Sequence, residues 1–217
     1  MGEINITDQF GRSIFDTVLK YKLKRVLEIG SWDGTGSTQC FLGAMQILND
    51  EDKRLTCLEV NTERYSKLVE NISPYKWAKA YNKSSVSSKH LMYTNFNDIW
   101  NSPYNGMQKH PTPSSYDTVE KWFNEDIDNI KRIEPGYLEE DNLFYDAVLI
   151  DGSEFTGYSE YTLLKDRVNV LFLDDYYKSF KTNQIVRELE KNNKWEVISF
   201  SRDLRNGFAV FKRKEFI

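Results

Sequence analysis

The sequence predicts an α/β fold: a doubly wound, mostly parallel sheet of seven strands flanked by helices, in a single domain over residues 1–217. Two observations predict it. Short apolar runs alternate with stretches of helical periodicity, the pattern of strands joined by crossover helices. The first run enters a glycine-punctuated turn, Gly30-Ser31-Trp32-Asp33-Gly34-Thr35-Gly36, which opens directly into a helical pattern. Composition agrees: 40% hydrophobic and 29% charged residues describe an ordinary globular chain, long enough for one sizeable core and too short for two.

Residues 8–22 carry Phe10, Ile14, Phe15, Val18 and Leu19 at helical spacing, an amphipathic leading helix. Strand one covers residues 25–30, and the first crossover helix covers 36–49 with Phe41, Leu42, Met45 and Leu48. Strand two spans residues 54–60 and ends in Glu59. A helix capped by Thr62 follows (Tyr65, Leu68, Val69, Ile72) and stops before Pro74. Strand three is 77–81, strand four is 145–151 and strand five is 168–173, ending at Asp174-Asp175. A helix over 178–192 and strands at 195–201 and 207–213 complete the chain.

Residues 83–141 separate strands three and four, and a stretch that long inside a compact domain signals a functional insertion. Its first half is rich in aromatics (Tyr93, Phe96, Trp100, Tyr104), and its second carries Val119, Trp122, Phe123, Ile127, Ile130 and Ile133 at helical spacing. We read residues 90–141 as a lid, an ordered loop plus a helix over the carboxyl edge of the sheet; a surface decoration or a homodimer arm is the alternative.

A net charge of −4 disfavours nucleic acid as a partner. Cys40 and Cys57 lie in apolar contexts, which suits buried, reduced thiols. The N-terminal residues lack a basic segment followed by an apolar one, and no apolar run is long enough for a membrane span, so a cytoplasmic location is expected.

Ligands of open parallel sheets bind beyond the carboxyl ends of the strands. Here those ends carry Glu28 and Gly30, Glu59, residues 82–85, Asp151-Gly152-Ser153-Glu154, and Asp174-Asp175. Isolated acids there can be helix caps, but acids at four of the five strand ends point to a site. Glu59 is placed to accept both hydroxyl protons of a ribose, as any adenosine cofactor requires. The glycine spacing discriminates between cofactors. Dinucleotide enzymes favour Gly-x-Gly-x-x-Gly, whereas Gly30, Gly34 and Gly36 are spaced Gly-x-x-x-Gly-x-Gly behind Glu28.

That order resembles the first motif of class I S-adenosylmethionine-dependent methyltransferases, the catechol and caffeoyl O-methyltransferases above all. The resemblance implies a Rossmann-like methyltransferase fold whose last two strands, joined by residues 202–206, form an antiparallel hairpin. It implies that Glu28, Gly30, Ser31, Gly34, Gly36 and Ser37 line the methionine and ribose side of the cofactor and that Ser84 or Ser85 neighbours the adenine. Asp151-Gly152-Ser153 and Asp174-Asp175-Tyr176 are similar to the metal-binding carboxylates of catechol-type and macrocin-type sugar O-methyltransferases, which implies Mg²⁺ on Asp151, Asp174 and Asp175. Ser153 departs from the pattern by replacing an acid, and Glu154 is the candidate to supply a base instead. The alternative is that Asp174-Asp175 caps the following helix and Asp151 binds the cofactor amine. Asp151 is the first candidate for catalysis, and of the two histidines, His110 is the better candidate base.

The expected function is methyl transfer from S-adenosylmethionine to an oxygen of a small polar acceptor, a sugar or glycan precursor in polysaccharide biosynthesis. A nicotinamide-dependent oxidoreductase and a non-catalytic methyltransferase-like binding protein are the alternatives.

Overall fold

A computed structural model describes residues 4–107 and 114–217. Seven strands form one sheet: β1 (Arg25–Ile29), β2 (Arg54–Leu58), β3 (Ala78–Tyr81), β4 (Tyr145–Ile150), β5 (Val168–Asp174), β6 (Trp195–Ser201) and β7 (Phe208–Arg213). They run in the order β3-β2-β1-β4-β5-β7-β6. The first five are parallel, and β7 pairs antiparallel with both β5 and β6. Strand order reverses between β1 and β4, so the crevice for a ligand opens above that pair.

Side-chain alternation sends successive residues to opposite faces. One face packs Val26, Leu55, Leu149 and Phe172 beneath α1 (Gln9–Tyr21), α2 (Ser37–Ile47) and α3 (Thr62–Ile72). The other packs Leu27, Val148, Ile150 and Leu171 against α7 (Gly157–Leu164) and α8 (Asn183–Leu189). Cys40 and Cys57 are free and buried on the first face, and burial pushes the Cys40 thiol up to about 12.

Three details depart from the sequence expectation. The cap of α3 is Asn61, whose side chain accepts from the Arg64 N–H at 3.0 Å, and Thr62 is the first helical residue. The crossover helix α7 carries Gly157, two tyrosines and Thr162, so local propensity gives it no signal; burial of Tyr161 and Leu164 makes it a helix. The expected helix at 178–192 starts only at Asn183, because Glu154 captures the backbone N–H groups of Phe180 and Lys181 and holds that segment irregular.

Between β3 and β4 lie a 3₁₀ turn (Ser88–His90), α4 (Phe96–Trp100), α5 (Tyr116–Arg132) and α6 (Tyr137–Glu140). Phe96, Ile99, Val119 and Phe123 bury themselves with Phe155 and Phe180 in a satellite core that seats α4 and α5 on the loops following β4 and β5. The aromatic rings of this insertion therefore pack on one another.

Candidate active site

A cavity of about 430 Å³ opens at the carboxyl ends of β1, β2, β4 and β5, within the size range of small-molecule and cofactor sites. Its walls gather residues far apart in sequence. The β1–α2 turn contributes Gly30, Ser31, Trp32, Gly36 and Ser37. Glu59, Ser84 and Ser85 come from the ends of β2 and β3, and Asp151, Asp174 and Asp175 from the ends of β4 and β5.

The turn after β1 is held open by close backbone contacts. Gly30 adopts φ +86°, and a Cβ there would lie 2.2 Å from the Asp151 carbonyl oxygen, so only glycine lets the β1 and β4 loops meet. Gly36 is the N-cap of α2 without a side-chain cap, which leaves the positive end of that helix at the cavity wall. Gly34 stands away from the cavity: at φ +79° it turns toward α3, where a Cβ would meet Leu68 Cδ1 at 2.9 Å.

Glu28 is also absent from the cavity wall. It shares the α2 face of the sheet with Val26 and is fully buried, and its two oxygens accept from Ser37 Oγ and Thr38 Oγ1, each at 2.7 Å. Burial raises its pKa, and those hydroxyls oppose the rise. Glu28 thus ties β1 to the first turn of α2 from below the glycine turn. Glu59, by contrast, lines the cavity with Oε1 accepting from the Asn61 N–H at 2.8 Å. Burial raises its pKa, opposed by that hydrogen bond and by Arg64.

Two further acids complete the walls, and sequence reasoning missed both. Glu160, on the first turn of α7, is buried and lines the cavity; Oε1 accepts from Ser85 Oγ at 2.5 Å and Thr156 Oγ1 at 2.7 Å, while Oε2 is buried with no partner. Asp126 comes from α5, where it shares a face with Val119, Phe123 and Ile130. It accepts from Ser153 Oγ, the hydroxyl standing where the resemblance wants an acid, and burial raises its pKa. An acid at an apolar position of the α5 pattern was the available signal for Asp126; Glu160 had none.

Asp151, Asp174 and Asp175 each offer an oxygen within 4.8 Å of the others. The left-handed backbone at Asp175 (φ +54°) lets consecutive residues both reach the cavity. The donor set is all oxygen, the chemistry Mg²⁺ selects. The cluster already holds two cations of its own, however. Lys181 Nζ lies 2.9 Å from Asp151 Oδ1 and 2.8 Å from Asp175 Oδ2, and Arg205 Nη2 lies 2.6 Å from Asp174 Oδ1. The metal does not fit the cluster as it stands. Burial works against the ammonium, but Asp151, Asp175 and Asp174 outweigh it and hold Lys181 above its ordinary value. Burial likewise raises Asp175, but Lys181 and Asn206 win and keep it below the usual carboxylate range; Asp174, buried beside two other acids, is pushed well up.

Glu154 is consumed structurally, accepting from Ser179 Oγ and from the Phe180 and Lys181 N–H groups, at 2.5 and 3.3 Å for the latter two, and it does not line the cavity. His110 lies outside the described residues.

No family model and no curated protein matches the chain. Solved structures do. A methyltransferase from Geobacter sulfurreducens superposes with TM-score 0.57 at 9% identity, covering 95% of this chain and 80% of that one. An O-methyltransferase from Bacillus cereus in complex with SAH gives 0.56 at 12% identity, covering 98% and 84%. The O-methyltransferase TomG from Streptomyces achromogenes, in complex with SAM, gives 0.53 at 12% identity, covering 94% and 78%. The chain has the methyltransferase fold. At these identities the likeness is one of fold. Among the described residues, no helix is long and apolar enough to cross a membrane.

Proposed function

We propose that this protein transfers a methyl group from S-adenosylmethionine to an oxygen of a small polar acceptor. The observation that carries the reading is the cavity at the strand ends. It joins a glycine turn at a bare helix N-terminus, a ribose-type acceptor at Glu59 and a charged cluster around Asp151. The SAM and SAH complexes of similar fold support the same cofactor.

The residues present suit that cofactor. The α2 N-terminus with Ser31 and Ser37 would receive its carboxylate, and Glu59 its ribose hydroxyls. The unpartnered Glu160 Oε2, beside Ser85, is an acceptor that the adenine amine would satisfy. When bound, the cofactor supplies an electrophilic sulfonium methyl group. Asp151, at the end of β4, holds the acceptor hydroxyl and takes its proton on the oxygen that Lys181 does not engage.

Asp126, Asn129 and Ser153 line the cavity with hydrogen-bonding groups, which suits a polyhydroxyl acceptor such as a sugar or glycan precursor. In this reading α5 is the part of a lid over residues 90–141 that closes on the acceptor. Calorimetric titration with S-adenosylmethionine, S-adenosylhomocysteine, NAD and NADP tests the cofactor. Binding of the first two alone is expected; tighter binding of a nicotinamide cofactor, or of none, refutes the reading. A survey of hydroxyl and amine acceptors then tests the oxygen specificity.

A further inference from the structure

We propose that Lys181 is the resident cation of the acceptor half of this cavity, occupying the place among Asp151, Asp174 and Asp175 that a divalent metal would need, so that the reaction proceeds without one. The role in transfer rests on the methyltransferase reading; the charge arrangement does not.

An Mg²⁺ ion needs carboxylate oxygens at about 2.0–2.1 Å in near-octahedral order. Asp151 Oδ1 and Asp175 Oδ2 are already spanned by one ammonium, at 2.9 and 2.8 Å, and an ion placed between them would collide with it and repel it. Lys181 is also built in. Its side chain is 9% exposed, and its backbone N–H donates to Ser179 Oγ at 3.1 Å and to Glu154 Oε1 at 3.3 Å. Its carbonyl oxygen would lie only 2.2 Å from a Cβ on Gly157, so the chain is pressed against the start of α7. The next residue is anchored as well, Thr182 Oγ1 donating to the Asp174 carbonyl at 2.6 Å. Glu154, accepting from three consecutive residues, holds this segment out of α8 and aims Lys181 inward.

An ammonium has three donors. Two are engaged by Asp151 and Asp175; the third has no partner among the described residues, and the side chain lines the cavity. It is placed to donate to the acceptor's oxygen and to favour that oxygen's developing negative charge, the task a metal performs in metal-dependent O-methyl transfer.

The test uses Mn²⁺ alone, titrated into the full chain and followed by electron paramagnetic resonance, in the wild type, K181M and K181R. The wild type and K181R are expected to bind no Mn²⁺ below ~1 mM, while K181M, its carboxylates stripped of their cation, gains affinity by at least about tenfold. Wild-type binding in the micromolar range, or K181M binding no better than wild type while folded by circular dichroism, overturns the proposal. Should K181M not fold, the wild type and K181R decide alone: no Mn²⁺ binding by either sustains the proposal. Calorimetry with S-adenosylmethionine on the same wild-type sample separates the two claims. A protein that binds neither cofactor nor Mn²⁺ refutes the methyltransferase reading while leaving Lys181 as the resident cation.

Discussion

Glu59→Gln isolates the ribose contact. Glutamine keeps the side-chain volume, and its carbonyl oxygen can still accept from the Asn61 N–H that Glu59 Oε1 holds at 2.8 Å, so the start of α3 stays anchored. What is lost is the charge and the second acceptor oxygen of a residue that lines the cavity. A hydrogen bond to a charged group contributes about 1.5–3 kcal/mol, so the dissociation constant for S-adenosylmethionine should rise about 10- to 150-fold. Calorimetry measures it directly, with S-adenosylhomocysteine as a second ligand. A 2′-deoxyribose analogue closes the cycle: it should bind the wild type more weakly than the parent compound, and Glu59→Gln should treat the two almost alike. The acid limb gives an independent check. Burial raises the Glu59 pKa, so wild-type affinity should weaken on acidification as the carboxylate takes up its proton, and the variant should not share that weakening. An affinity within twofold of wild type, in a folded variant, would refute the assignment of Glu59 to the ribose.

Glu160→Gln should weaken cofactor binding by about tenfold by removing the acceptor at Oε2. It should also relax discrimination against an analogue carrying a 6-carbonyl in place of the adenine amine; discrimination equal to wild type would place the amine elsewhere. Gly30→Ala should cost ~2–4 kcal/mol in urea unfolding, because the new methyl group meets the Asp151 carbonyl at 2.2 Å in a left-handed backbone; a loss under about 0.5 kcal/mol, as for an ordinary surface change, would contradict the loop contact. Glu139 ties α6 to the 3₁₀ turn through the Ser87 N–H (2.7 Å) and His90 Nδ1 (2.9 Å). Although burial opposes it, these contacts hold the Glu139 carboxyl at about 2 against an ordinary 4.5. A depressed carboxyl stabilises the folded state above its unfolded pKa. The stability gap between wild type and Glu139→Gln should therefore be full above pH 4.5 and close as pH falls toward 2; a gap that widens on acidification would reverse the sign.

The positions of the strand-end groups were legible because local chemistry announces them. Strands are short apolar runs, and the residue that ends each run in a parallel sheet emerges at one edge. Gly30, Glu59, Asp151, Asp174 and Asp175 could thus be assigned to one rim. Glu28 shows the limit of that reasoning. It too lies near a strand end, but its parity with Val26 turns it beneath the sheet into the cup formed by Ser37 and Thr38. In the sequence Glu154 stands as a spare base beside the missing acid at Ser153, whereas its hydrogen bonds to residues 179–181 make it a clamp.

The sequence by itself determined the strands, the helices α1 to α3 on one face and the glycine turn, since each follows from periodicity and from residues close together in the chain. It could not determine which distant side chains share the cavity. Lys181 lies 30 residues from Asp151 in a stretch whose local pattern reads as helix, and Glu154, Ser179 and Thr182 hold it out of that helix. Asp126 reaches Ser153 across 27 residues because the satellite core seats α5 there. Glu160 has an unpartnered oxygen at the cavity only once α7 has packed on the sheet. Burial and pairing of charge belong to the assembled structure, and they decide whether this carboxylate cluster holds a metal or an ammonium.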